Sequence, residues 1–386
     1  MAPAPRRMEP LAFFKHGLGA KELDAIAAVF SGRILTTGDT VLEFERRFAE
    51  YLGRRHALGV TSCTGAMHIA LLALGIGPGD EVITTPMTFV ATSLAILETG
   101  ATPVFVDVEA DTGNLDARRV ESAITKRTRA ILPVHLYGQM CDMRALREIA
   151  DRRGLRIVED SAHCVEGARD GVRPGDLSDA ACFSFYATKS LTCGEGGAVV
   201  TDDERLAASL RLLRLHGVTK TAADREREGY QEWDTVTLGW KYNMSNIEAA
   251  MLLPQLERVD ERWHRRELLA TRYEDRLSKV AGVTLLTTRP GVRHARHLFT
   301  IWIDGGRRDA VLRELRAARV EAMVNYRAIH GQTLFRQRLG TKLGDFPHAE
   351  RIGADTISLP LYPALTYEEV DEVADAIASA LATTPA

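Results

Sequence analysis

Short runs of apolar and β-branched residues alternate with amphipathic stretches between residues 55 and 215. The apolar runs predict strands at 80–85, 102–107, 130–135, 155–160, 180–185 and 197–201. The clearest amphipathic stretches repeat their apolar residues at the helical period and predict helices at 67–74, 93–98, 116–124 and 143–152. Strands that alternate with helices form a mostly parallel, doubly wound sheet, so we predict an α/β fold with ligands at the carboxyl ends of the strands.

A different pattern begins near residue 246. A helical period runs from Asn246 to Leu277 and contains Pro254, which is expected to kink the helix or to end it. A strand-like run and two further helical periods follow, at 297–303, 309–319 and 368–381. A chain of this length usually forms more than one core. We therefore predict an N-terminal arm with a large α/β domain at 1–250 and a smaller α+β domain at 251–386.

Composition argues against a nucleic-acid-binding protein, a membrane protein, a disulfide-rich protein and a metalloprotein. The chain has 386 residues, of which 45% are hydrophobic and 26% charged, with a formal net charge of -3. These values are typical of a globular protein and do not favour a nucleic-acid partner or a membrane span. Neither disulfides nor a metal site is predicted, because the cysteines are odd in number and lack the spacing of metal ligands. They are Cys63, Cys141, Cys164, Cys182 and Cys193. The sequence starts with no signal-peptide pattern, so a cytoplasmic location is expected.

Lys189 is the first candidate for chemistry. It lies in a turn of small residues between the apolar runs at 180–185 and 197–201. In a confined site the pKa of a lysine falls, and its neutral amine can form a Schiff base with an aldehyde. Pyridoxal 5'-phosphate (PLP) is the commonest such aldehyde among cofactors. A solvated loop lysine is the alternative, and from this residue alone it is the more common outcome.

A PLP site also requires a carboxylate that keeps the ring nitrogen protonated, because a protonated ring is the better electron sink. Asp160 ends an apolar run, which places its carboxylate at the ligand-binding edge of the predicted sheet. Capping of the next helix is the alternative for this residue. His163, three residues later, is compatible with contact to the ring oxygen or with simple packing.

Three further segments could complete such a site. The segment 61–68 enters a helix through small hydroxylic residues, and free amides at a helix start attract a phosphate dianion. An ordinary helix cap is the alternative. Phe89 follows a strand end and could stack on the pyridine ring, although taken alone such a residue more often belongs to the core. Ser184 and the glycine-rich turn 194–197 fit phosphate contact, and a hairpin without a ligand is their alternative.

Many of these segments match the motifs of one family in the family's own order. They lie at 62–66, 80–83, 88–92, 102–108, 133–138, 159–163, 182–189, 195–201, 216–217, 239–245 and 358–363. On these motifs the chain resembles the DegT/StrS-type sugar aminotransferases over nearly its whole length. The resemblance implies a fold type I, PLP-dependent homodimer with two active sites at the subunit interface.

The resemblance also assigns roles to individual residues. It implies that Lys189 binds the PLP aldehyde covalently, that Asp160 pairs with the ring nitrogen and that Phe89 stacks on the ring. Most members carry Gln at the position of His163, and the histidine resembles the branch that makes 4-amino-4-deoxyarabinose. The sequence 191–197 resembles the same branch, which favours amination at C4. The lysine excludes the related PLP-dependent sugar dehydratases, which have histidine in its place.

Further matches concern the phosphate and the substrate. By resemblance, Thr64, Gly65 and Ser184 hold the phosphate of the cofactor. Asn243 matches a residue that relatives donate from the other subunit. His330 falls in the segment that commonly lines the nucleotide-sugar pocket.

The function implied is transfer of an amino group from L-glutamate to a nucleotide-linked keto sugar. We expect C4 of a dTDP-4-keto-6-deoxyhexose as the acceptor, and the product would serve amino-sugar biosynthesis. A 3-keto sugar or a cyclitol as acceptor is the alternative within the family. A non-catalytic regulator with the same fold is a more distant alternative, against which the presence of both Lys189 and Asp160 argues.

Overall fold

The computed structural model describes residues 9–220, 224 and 232–384. Its strands, in chain order, are β1 (His56–Val60), β2 (Glu81–Thr84), β3 (Thr102–Phe105), β4 (Thr128–Ile131), β5 (Arg156–Asp160), β6 (Ala168–Arg169), β7 (Ala180–Ser184), β8 (Gly197–Thr201), β9 (Val283–Leu285), β10 (Val292–Arg293), β11 (Phe299–Ile303) and β12 (Thr356–Leu359). Its α-helices are α1 (Ala20–Phe30), α2 (Asp39–Leu52), α3 (Cys63–Ala73), α4 (Ala91–Glu98), α5 (Ala117–Val120), α6 (Met143–Arg153), α7 (Glu204–Leu213), α8 (Asn246–Leu256), α9 (Val259–Leu277), α10 (Arg308–Ala317), α11 (Thr333–Leu339), α12 (Pro347–Asp355) and α13 (Tyr367–Thr383).

The central sheet has seven strands in the order β1-β8-β7-β5-β4-β2-β3. Strands β3, β2, β4, β5 and β7 pair in parallel, and β8 runs antiparallel to both β7 and β1. Each strand predicted between residues 80 and 201 is present, and the predicted α/β fold with a mostly parallel sheet is confirmed. Because β2, β4, β5 and β7 are parallel, their carboxyl ends meet at one edge of the sheet.

Both faces of the sheet are covered by helices. Ala180 and Cys182 of β7 pack in a cluster with α3 and α7 on one face. The alternate residues Ala181 and Phe183 pack in a second cluster with α2 and α8 on the other face. Every residue of β2, β7 and β8 is buried, as expected for strands that lie between two layers of helices.

The helical period predicted from Asn246 to Leu277 is two helices, α8 and α9. Pro254 lies in the last turn of α8, which ends at Leu256. The boundary predicted between residues 250 and 251 falls within α8, and the division into two domains stays a prediction.

The C-terminal segments form a separate core. Strand β11 pairs antiparallel with β9 and β12, and α9, α10 and α13 pack with this small sheet. Leu11, near the start of the described chain, is 1% exposed and belongs to the same core. Its backbone N–H donates a hydrogen bond to the carbonyl of Arg319 at 2.8 Å. A segment of the N-terminal arm is therefore held against the C-terminal sheet.

Within the described ranges, every helix is too short or too polar to cross a lipid bilayer. The same ranges contain no group of three or more His, Cys, Asp or Glu side chains that could hold a metal ion.

Candidate active site

Asp160 ends β5 at the sheet edge where the parallel strands finish, as predicted. Its side chain is 6% exposed. The carboxylate Oδ1 accepts the backbone N–H of Ala162 at 3.1 Å, and Oδ2 accepts the hydroxyl of Thr92 at 2.7 Å. The backbone carbonyl of Asp160 accepts the N–H of His135, four residues after the end of β4. The thiol of Cys63 lies 3.9 Å from Oδ1 as a weaker third donor. The carboxylate is thus held by three groups, and the sequence did not indicate its contact with Thr92.

Lys189 lies in the turn that follows β7, and its backbone N–H donates to the carbonyl of Tyr186 at 2.9 Å. Loss of hydration among the surrounding protein atoms lowers the pKa of its amine to about 8, although the negative charge of Asp160 opposes the shift. Burial dominates because an ammonium loses hydration among protein atoms. With this pKa roughly a tenth of the amine is neutral at pH 7, far more than for an ordinary lysine, and the field of Asp160 reaches it. The structure brings these two predicted residues into one site.

His163 is held as a neutral ring. Burial lowers its pKa well below the usual value, and the nearby charge of Lys189 acts in the same direction. Its Nδ1 accepts the backbone N–H of Tyr137 at 3.2 Å, and its Nε2 lies 3.1 Å from the hydroxyl of Tyr326. The hydrogen-bond pattern therefore assigns the ring proton to Nε2. The ring of His297 packs 4.4 Å from that of His163, between centroids.

The start of α3 is brought close to the sheet by a glycine. Ser62 caps the helix by accepting the Gly65 N–H at 3.0 Å. The N–H groups of Cys63 and Thr64, in the first turn, have no acceptor within the helix. Gly197 of β8 pairs with Ser184 of β7. A Cβ on Gly197 would lie 2.5 Å from the carbonyl carbon of Ser62, so only glycine allows this approach. The helix start that carries Thr64 and Gly65 therefore lies against the strand position that pairs with Ser184.

Phe89 is 56% exposed, although most residues around it are buried. Its ring centroid lies 5.8 Å from that of Tyr326, with the planes inclined at 44°. The loop that carries this ring is joined to Asp160 through the hydroxyl of Thr92, which contacts both the Phe89 carbonyl and the carboxylate. An exposed aromatic face on this loop fits a planar cofactor. The residues that could hold PLP are thus the carboxylate, the amine, the aromatic ring and the amides of α3.

Asn243 is 9% exposed. Its Nδ2 donates to Oγ1 of Thr37 at 2.8 Å, and its Oδ1 accepts Nζ of Lys241 at 2.7 Å. Its backbone forms a bridge with Val60 at the end of β1. The role predicted for Asn243 in the site of another subunit stays a prediction.

His330 is fully buried. Its Nε2 lies 3.0 Å from Oε1 of Glu350, and its ring packs edge-on against Phe346. It lines a cavity together with Arg327. The neighbouring Ile329 donates its N–H to the carbonyl of Pro86, which ties this segment to the loop before Phe89. Contact between His330 and a nucleotide sugar also stays a prediction.

Sequence reasoning missed Thr92, Tyr326 and His297. Thr92 belongs to the segment 88–92 that carried the family resemblance, so a hydroxyl one helical turn after Phe89 was the available signal. Tyr326 and His297 reach His163 from more than 130 residues away in the chain, and no local pattern indicated them.

Comparison with known proteins identifies the family. The pattern of the DegT/DnrJ/EryC1/StrS aminotransferase family matches residues 17–378. The spore coat polysaccharide biosynthesis protein SpsC of Bacillus subtilis (strain 168) is 39% identical over 366 residues, which are 93% of this chain and 94% of SpsC. The solved structure of S. venezuelae DesV is 39% identical, with a TM-score of 0.88 and 95% of each chain covered.

A further solved relative carries the cofactor. The PLP form of Spr1654 from Streptococcus pneumoniae is 30% identical, with a TM-score of 0.90, and the match covers 96% of this chain and 98% of Spr1654. The chain uses PLP and is a sugar aminotransferase, because the family match and these neighbours agree over nearly its whole length. It belongs to the DegT/DnrJ/EryC1/StrS aminotransferase family.

Proposed function

We propose that this aminotransferase moves the amino group of L-glutamate to C4 of a dTDP-4-keto-6-deoxyhexose. The observation that carries the chemistry is the amine of Lys189, whose pKa is lowered to about 8 by burial in the same site as Asp160. A neutral amine can both attack an aldehyde and accept a proton, whereas a hydrated surface ammonium does neither efficiently at neutral pH.

Each residue of the proposed site has its own role in the reaction. Bound PLP supplies an aldehyde for amine exchange and a ring that accepts an electron pair. The Nζ of Lys189 would take the proton from the Cα of the donor and later deliver a proton to the sugar carbon. Asp160 would hold the proton on the ring nitrogen. The exposed face of Phe89 would orient the ring, and the amides at the start of α3 would bind the phosphate.

The choice of C4 rests on His163, which stands where most relatives have glutamine, and on the segment 191–197. The relative SpsC is named for polysaccharide biosynthesis, which agrees with an amino sugar as product. A 3-keto sugar or a cyclitol is the second candidate for the acceptor. Family members that use different acceptors differ in the loops of the substrate pocket, and the fold they share does not distinguish the acceptors.

We further propose a homodimer with shared active sites, as is typical of the family, and a cytoplasmic location. All five cysteines are free and buried, which agrees with a reducing compartment.

A substrate panel tests this function. Purified enzyme would be incubated with L-glutamate and, separately, dTDP- and UDP-linked 4-keto sugars, 3-keto sugars and a keto cyclitol. We expect 2-oxoglutarate and an aminated dTDP sugar with the nitrogen at C4, identified by mass spectrometry and NMR. Preferred turnover of a 3-keto sugar or a cyclitol would overturn the assignment to C4. Failure to form 2-oxoglutarate from glutamate with every acceptor would overturn the proposed pairing of L-glutamate with these keto sugars.

A further inference from the structure

Two buried threonine hydroxyls form a chain that ends on the carboxylate of Asp160. Oγ1 of Thr88 lies 2.7 Å from Oγ1 of Thr92, and Oγ1 of Thr92 lies 2.7 Å from Oδ2 of Asp160. Thr88 is 2% exposed and Thr92 is 0% exposed. Both contacts have the length of strong O–H···O hydrogen bonds.

The direction of these hydrogen bonds follows from the number of protons. An ionised carboxylate only accepts, so Thr92 must donate its single hydroxyl proton to Asp160. Its other acceptor, the carbonyl of Phe89, is more distant at 3.2 Å. Because the proton of Thr92 is engaged, Thr88 is the donor in the contact between the two threonines. The chain therefore runs from Thr88 through Thr92 to Oδ2.

The same hydroxyl connects two parts of the site. Thr92 lies in the first turn of α4, three residues after Phe89, and contacts both the carbonyl of Phe89 and the carboxylate of Asp160. The other carboxylate oxygen accepts the N–H of Ala162 at 3.1 Å and lies 3.9 Å from Sγ of Cys63. Thr92 is thus the contact that joins the carboxylate to the loop that carries the aromatic ring.

We propose that Thr92, supported by Thr88, is a positioning residue that keeps Asp160 charged and aligned with the ring nitrogen of the cofactor. A donated hydrogen bond stabilises the charged form of a carboxylate. The proton that lies between the ring nitrogen and the carboxylate then stays on the ring nitrogen and does not move to Asp160. This inference rests on the proposed function only in its prediction of the reaction rate. The protonation of the ring nitrogen can be measured without turnover.

The test compares three variants. Thr92→Val removes the hydroxyl at nearly constant shape, and Thr92→Ser keeps it. The matched control is Thr84→Val, because the hydroxyl of Thr84 is equally buried but donates to the carbonyl of Leu132 at 2.8 Å. The readouts are the 15N chemical shift of the ring nitrogen in enzyme loaded with 15N-labelled PLP and the rate of the half-reaction with glutamate.

We expect Thr92→Val to move the 15N shift toward that of an unprotonated pyridine and to slow the half-reaction roughly 10-fold or more, as befits a hydrogen bond to a charged group. Thr92→Ser should keep the wild-type shift. Thr84→Val should lose thermal stability while the shift stays unchanged. If Thr92→Val does not fold, Thr88→Val should move the shift in the same direction by a smaller amount.

An unchanged 15N shift in Thr92→Val, or in Thr88→Val where only that variant folds, would overturn the proposal, even if the rate fell. A shift that moves equally in Thr84→Val would overturn it as well. If wild-type enzyme did not react with glutamate but Thr92→Val still moved the shift, the proposed function would fail and the positioning role would stand.

Discussion

At the scale of single residues, burial and the charge of Asp160 act on Lys189 in opposite directions. The carboxylate favours the charged amine, but the loss of hydration on burial is the larger effect and lowers the pKa of Lys189 to about 8. The amine is thereby available as a base close to neutral pH, while the carboxylate remains fixed by Thr92 and Ala162.

Lys189→Ala is expected to lower the rate of the glutamate half-reaction by at least about 100-fold, because general acid–base catalysis contributes about that much or more. Lys189→Arg is the matched control, since it keeps a long cationic side chain that cannot be deprotonated in a protein. It should be equally slow. The measurement is a single-turnover reaction followed by absorbance. A rate above about a tenth of the wild-type value in Lys189→Ala would contradict the role.

The pKa of Lys189 predicts a pH dependence for cofactor attachment. Only the neutral amine attacks the aldehyde, so the rate of PLP binding to apoenzyme should rise with pH, with a midpoint near about 8, and level off above it. A lysine with the ordinary pKa of about 10.4 would give a rate that still rises at pH 10. Stopped-flow absorbance of apoenzyme mixed with PLP would distinguish the two curves.

At the scale of elements, the contact of α3 with β8 fixes the place of the helix start that we propose binds the cofactor phosphate. The helix start is held by the Ser62 cap and lies against Gly197, where no side chain intervenes. A helix start this close to the sheet presents its amides at the same edge as Asp160.

Gly197→Ala is expected to weaken PLP binding by roughly 10-fold or more, or ~1.4 kcal/mol. The added methyl group would overlap backbone atoms of Ser62 and Cys63, at 2.5 and 2.6 Å, so α3 must shift. Gly77→Ala is the control, since its Cβ would meet only the carbonyl of Thr99 at 3.7 Å. Fluorescence titration of apoenzyme with PLP gives both affinities. Equal Kd values for Gly197→Ala and wild type would refute the role of this close approach.

At the scale of the whole molecule, the proposed dimer places Asn243 in the site of the partner subunit. Mixing Lys189→Ala chains with Asn243→Ala chains should then restore activity, because one of the two sites in each heterodimer has both residues intact. Lys189→Ala mixed with Asp160→Asn is the control and should stay inactive, since those two residues belong to one chain's site.

The experiment requires that Asn243→Ala alone is strongly impaired and that subunits exchange, which native mass spectrometry can confirm. An inactive mixture despite confirmed exchange would assign Asn243 to its own chain, where it already contacts Thr37 and Lys241. A monomer at working concentration would exclude shared sites altogether.

The sequence alone was enough to predict six strands and four helices between residues 67 and 201, because strand and helix periods depend on near neighbours in the chain. The strands β1 and β6 and the helix α7 were not among the predicted elements. Asp160 and Lys189 were recognisable for the same local reason. One ends an apolar strand, and the other lies in a turn of small residues. The end of α8 near Pro254 was also indicated locally, although the pattern did not separate α8 from α9 at a definite residue.

Only the tertiary structure decided which distant side chains complete the site. Thr92 meets Asp160 across 68 residues of chain, and Tyr326 meets His163 across 163. A periodic pattern tells which face of an element is buried, but it does not tell which other element lies opposite. The partner of a buried hydroxyl or imidazole depends on that packing, because a polar group without access to water must bind whatever donor or acceptor the fold brings to it.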